Sequence, residues 1–279
     1  MFRAFVIVFV VSGFVTPSWA QAQPAPGAAP TQTTPSAAKP AKKPAPKAKT
    51  IAKQPVAVET GPCRLGVISA LGNRFSVQKF GLTIFETEVN EVPMDGWRLD
   101  DLPLARVRAA TDTDPSVRRI AYPKGAFEPY YNPKSRFLPD PNEGLPAIVR
   151  SITANANCER YLVITKYNGM VPGTKLEING IGVYSQGIGS FARHSHLFAN
   201  VAMSMYDGTT YEKISRSLAA FGASFAEGLG LTEDPLTKLD NSLFPDPPES
   251  ASSSATLKER TRALVSARLD RMIPDYLRQ

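Results

Sequence analysis

Glu143-Gly144-Leu145-Pro146-Ala147-Ile148-Val149-Arg150-Ser151-Ile152-Thr153-Ala154-Asn155-Ala156-Asn157 runs directly into Cys158-Glu159-Arg160-Tyr161-Leu162-Val163-Ile164-Thr165. In the first half, Leu145, Ile148, Val149, Ile152 and Ala156 recur at the spacing of one helical face, and Pro146 stands near the start. In the second half, Tyr161–Thr165 is an unbroken apolar run, which suits a central strand buried on both faces. An amphipathic helix leading into a doubly buried strand is the signature of an α/β layer.

The flanking sequence extends this pattern. Upstream, Arg64–Leu71 and Phe75–Phe80 are β-rich runs separated by Gly72-Asn73-Arg74, a hairpin signal. Thr83–Val92 alternates and extends the sheet. Asp100 and Asp101 offer N-caps for a helix over Asp101–Ala110, with Pro103 tolerated in its first turn, and Val117–Ala121 reads as a short strand. Downstream, Lys175–Tyr184, Ser195–Tyr206 and Tyr211–Leu218 are strand candidates, the last two joined by the turn Asp207-Gly208-Thr209-Thr210. A closing helix opens with Thr256 and Glu259 at capping-box spacing and turns Leu257, Leu264, Val265, Leu269 and Met272 to a core before Pro274 ends it. The expected fold is α/β: a layered mixed sheet with an antiparallel meander and a C-terminal helix. It forms a single domain over residues 58–279, with irregular insertions near 126–142 and 221–254.

The first 57 residues differ in kind. Residues 1–20 read as a signal peptide: Arg3 is the positive region, Ala4–Val15 the apolar region, and Ser18-Trp19-Ala20 a cleavage site before Gln21, with cleavage after Ala22 as the alternative. An uncleaved anchor is the competing reading, but twelve apolar residues fall short of the roughly 20 that span a bilayer. Residues 21–57 hold 11 Ala, 8 Pro and 6 Lys among 37 residues, and should form a disordered tether. Fully extended, the tether reaches on the order of 100 Å. Its lysines would attract anionic surfaces, although a plain spacer is an equal reading.

The 279-residue chain has a net charge of +7. Arg3 and the six tether lysines account for all of it, leaving 25 basic against 25 acidic residues in the rest. A neutral domain with a basic tail argues against nucleic acid, which wants a basic stripe on the fold itself. No later segment is apolar enough for a transmembrane span in the mature chain. These features predict a periplasmic or secreted protein.

Within residues 64–220, the alternation of elements resembles the periplasmic domain shared by the TolB amino-terminal domain, curli-secretion lipoproteins and penicillin-binding-protein activator lipoproteins. The local features that carry the likeness are Cys158–Ile164, a small-acidic-aromatic start to a core strand, and Val201–Tyr211, a strand ending in an Asp–Gly turn. The chain also resembles uncharacterised exported proteins of Gram-negative bacteria. The resemblance implies an assembly or regulatory protein without catalytic residues. It carries over no site residue, and the chain lacks a lipidated cysteine.

Few residues suggest chemistry. Cys63 and Cys158 each precede a candidate parallel strand, so an oxidising compartment should join them in a disulfide. The alternative, a reactive thiol, lacks a CxxC partner or a nearby histidine. His194 and His196 alternate on one strand face and are weak metal candidates, since a site wants a third ligand. Gly222–Ala226 half matches a nucleophile elbow, and Gly169–Lys175 is one residue short of a phosphate loop. Phe127, Tyr130, Tyr131, Arg136 and Phe137 crowd one loop with interface-like composition; a second reading has the rings covering the sheet. No cofactor is expected. The residues favour a non-enzymatic envelope protein that binds an envelope protein or cell-wall polymer. The alternative is an envelope hydrolase or other enzyme with an unrecognised site.

Overall fold

Strands β1 (Cys63–Ala70) and β5 (Cys158–Lys166) lie side by side and parallel, in register from Cys63↔Cys158 to Ala70↔Thr165. The computed structural model describes residues 61–72, 74–81, 87–134, 144–187, 193–215 and 236–278. All of them fall in one compact unit, Val56–Gln279. The decisive helix is α3 (Leu145–Thr153), which buries Ile148 and Val149, with Leu145 and Ile152 packed beside them. The apolar run is the middle strand of its sheet, and Tyr161, Leu162, Val163 and Ile164 are all buried. Each such side chain contributes about 1.5–3 kcal/mol by leaving water.

The layered α/β reading holds, but the strands form two five-stranded sheets and a small ribbon. The first sheet has the order β11-β10-β5-β1-β4, with β4 (Val117–Arg119), β10 (Val201–Asp207) and β11 (Lys213–Ile214). The second has the order β12-β9-β8-β2-β3. Its strands are β2 (Arg74–Phe80), β3 (Glu88–Pro93), β8 (Ile181–Gln186), β9 (His194–Ala199) and β12 (Leu236–Leu239). The ribbon pairs β6 (Asn168–Met170) with β7 (Glu177–Asn179).

The expected hairpin between Arg64–Leu71 and Phe75–Phe80 does not form. Both edges of β1 are occupied by β4 and β5, so β2 leaves for the second sheet and pairs there with β3 and β8. Two further runs divide in the same way. Lys175–Tyr184 splits into β7 and β8 at Gly180, and Ser195–Tyr206 splits into β9 and β10 at Asn200. At this joint Tyr167, Gly180 and Asn200 exchange backbone bonds in a ring. Tyr167 N donates to Asn200 O at 3.0 Å, Asn200 N to Gly180 O at 2.8 Å, and Gly180 N to Tyr167 O at 3.1 Å. The buried Asn200 side chain adds a bond from Nδ2 to Ile178 O at 3.0 Å.

The helical ends also differ from expectation. Helix α1 spans Leu102–Ala110 behind a 3-10 turn, Leu99–Asp101; Asp101 stands at its N-cap position, but its side chain makes no capping bond. The Asp101 carboxylate goes instead to Arg98 and Arg119, both at 2.6 Å. Helix α2 is the single turn Glu128–Tyr131, within the segment read as irregular. The closing helix α4 spans Ala255–Leu277, and its cap is Ser254, whose hydroxyl accepts from Leu257 N at 3.3 Å; Thr256 lies in the first turn. Pro274 does not end it. Ile273 and Tyr276 are buried on either side, and that packing carries the last turn past the missing N–H. Residues 135–143 and 216–235, with the elbow-like Gly222–Ala226, lie outside the described residues.

Candidate functional site at the carboxyl ends of the parallel strands

In the first sheet, β1 is flanked by two parallel neighbours, β4 and β5. Helix α1 places Leu102 and Val107 in the core that holds Leu65 and Val67. Helix α3 places Ile148 and Val149 in the core that holds Ile68 and Ala70. The two helices therefore cover opposite faces of β1. The carboxyl ends of β1 and its neighbours form a topological switch point, where ligands of open α/β sheets bind.

Polar side chains from four elements converge at this end. Asp100 Oδ1 accepts from Ser69 Oγ at 2.7 Å and from Leu71 N at 3.0 Å. Burial pushes its carboxyl above the usual aspartate value, against the pull of those bonds and of Arg119. Tyr122 donates its hydroxyl to Ser69 O at 2.5 Å, and burial pushes that phenol up to about 12. Tyr131 donates to Ala70 O and accepts from Lys166 N at 3.2 Å; burial raises it as well. These groups satisfy the backbone where β1 leaves its sheet, a place where unpaired N–H and C=O groups would otherwise cost stability.

Lys166 is the exception. Its ammonium lies 5.5 Å from the Tyr131 ring centroid, a cation–π contact. Among the described residues it makes no ion pair and no side-chain hydrogen bond. Burial pulls its pKa below the usual lysine value, opposed by the fields of Glu91, Glu128 and Asp100. Gly180 makes room for it: at φ +66°, a Cβ there would stand 2.9 Å from Lys166 Cδ.

The loop aromatics meet this end only in part. Phe127 is 5% exposed and packs edge-on against Tyr122, so it is a core ring and not a surface one. Tyr130 and Tyr131 are half-buried and stand edge-to-face at 5.2 Å, whereas Arg136 and Phe137 lie outside the described residues. Covering the sheet is thus the role of Phe127, and partial exposure is left to the two tyrosines. Asp100 reads in the sequence best as a helix cap, and Tyr122 carries no signal of its own. Lys166 is foreshadowed only by a lysine closing an apolar run.

The other candidates lie elsewhere. Cys63 and Cys158 form a disulfide at the opposite, amino ends of β1 and β5. On β9, His194 is exposed and His196 is half-buried, stacked on Tyr184 at 5.1 Å. No group of three potential metal ligands occurs among the described residues. Nor is any helix among them long and apolar enough to cross a membrane.

No family model and no curated protein matches the chain. A crystal structure of a Xanthomonas campestris protein assigned to the family model DUF330 is similar to it. The TM-score is 0.31 and the identity 8%, over 81% of this chain and 91% of that one.

Proposed function

We propose that the chain is an exported, non-enzymatic protein of the cell envelope whose domain docks another envelope component. In this reading residues 1–20 are removed, residues 21–57 span the distance to the partner, and the carboxyl-end surface around Tyr130, Tyr131 and Lys166 makes the contact.

One observation carries the reading: hydroxyl and carboxyl groups at the switch point are engaged with strand backbone or each other, whereas Lys166 presents an unmatched cation beside two half-buried tyrosines. An aromatic pair next to a single cation is a docking composition. Ser69 donates to Asp100 with no imidazole between them, which is not the arrangement of an activated nucleophile. The disulfide supports export, since such bonds persist in oxidising compartments. The resemblance to envelope-assembly domains points the same way.

The test is site-specific photocrosslinking in intact cells, with the crosslinker at Tyr130 and, as control, at Lys238 on the edge strand of the other sheet. A discrete adduct from position 130, absent from position 238 and lost on Lys166→Glu, is the expected result. Equal adducts from both positions, or none from 130, would refute the assignment.

A further inference from the structure

At the other end of the same parallel strands, a cavity of about 110 Å³ opens between their amino ends and the end of α4. One side of its wall is apolar, where Leu65, Met205 and Tyr276 are all buried and the Tyr276 hydroxyl is turned away to Met203 O at 2.5 Å; Thr111 and Asp114 stand on the polar side. Two arginines also line the cavity, Arg64 and Arg160. Arg64 reaches Asp114 only loosely, at 3.7 Å, because the other oxygen of that carboxylate holds Ser116 N and Oγ at 2.8 and 2.7 Å.

Arg160 is half-buried, and among the described residues its side chain makes no hydrogen bond or ion pair. Its natural partner is engaged elsewhere. Asp207 lies directly across from Arg160 on β10, but its Oδ1 accepts from Thr209 N and Thr210 N, both at 2.8 Å. A half-buried arginine whose guanidinium no carboxylate holds is available to a ligand that supplies one.

We propose that this cavity binds a small monocarboxylate with a compact apolar body. The guanidinium of Arg160 takes the carboxylate in a two-pronged bond, with Arg64 closing over it, and Leu65, Met205 and Tyr276 hold the body. Size sets the class. A cavity of about 150 Å³ accommodates benzene, so this one takes a body of about four to six heavy atoms. The shared chemistry is a branched aliphatic acid, either free or as the carboxyl-terminal residue of a peptide. Inorganic phosphate or sulfate would leave the apolar wall without a partner.

The experiment is an amide-shift titration of the full chain with isovalerate and with N-acetyl-leucine, each paired with its neutral amide. Saturable shifts at Leu65 and Met205 are expected from the acids, with the amides at least about tenfold weaker. Arg160→Met should weaken the acids by a similar factor, and Arg160→Lys should restore part of the binding, which separates charge from any folding defect. Tighter binding of isovalerate identifies a free acid as the source, and tighter binding of N-acetyl-leucine a peptide terminus. Equal binding of acids and amides, unchanged binding by Arg160→Met, or no saturable shift from either acid would overturn the proposal.

Discussion

Asn200 donates its backbone N–H to Gly180 O at 2.8 Å, joining the two points where an apparent single strand breaks into two. With Tyr167 they hold together the ends of β5, β7 and β9 and the starts of β6, β8 and β10. The joint also sets the position of Lys166, because the residue that follows it is the third member of the ring.

Asn200→Ala should therefore cost about 0.5–1.5 kcal/mol, since it removes the buried side-chain bond to Ile178 O. Gly180→Ala should cost as much or more, because φ is +66° and the new methyl would press on the Lys166 stem. Urea denaturation at constant m-value would measure both, and a loss below about 0.5 kcal/mol in either would show that the joint is not a point of strength.

The local features of residues 143–165 were legible because helix period and strand run depend only on neighbouring residues. So was the cysteine pairing, since residues that open adjacent parallel strands face each other. Sheet membership was not. Leu197, Phe198, Val201 and Met203 read as one apolar run, yet Phe198 and Met203 belong to different sheets, and the pattern is the same whichever sheet a strand joins. The site was hidden for a related reason. Asp100 meets Ser69 across 31 residues, and no local spacing announces such a contact.

The pH dependence of Asp100 follows from burial. Its folded pKa lies above the unfolded value of 3.8, so the folded state binds more protons in the window that begins there and extends upward. The group's contribution is fully present below 3.8 and is lost as pH rises through the folded pKa. Wild type should thus gain stability relative to Asp100→Asn on acidification from about pH 7 to about pH 4.5. Paired denaturation curves at the two pH values check the sign, and a relative loss would contradict it.

Lys166→Met keeps the stem and removes the charge. Because burial disfavours the ammonium, stability at neutral pH should stay level or rise by up to about 1 kcal/mol, while crosslinking from position 130 falls. A large destabilisation would mean that the charge serves the fold.

The disulfide closes a separation of 95 residues, and its loss should cost about 2–4 kcal/mol. Cys158→Ser and the double serine variant should be destabilised equally, because one change already breaks the bond. A double variant as stable as wild type would show that the bridge restrains nothing in the unfolded chain.

One measurement tests the proposed export and the β1–β5 disulfide together. The most direct measurement is the intact mass of the protein taken from cells in the presence of a thiol-alkylating reagent and denaturant. The expected species begins near Gln21 and carries no alkyl group. A species that begins at Met1 with both Cys63 and Cys158 alkylated would contradict export and the disulfide together.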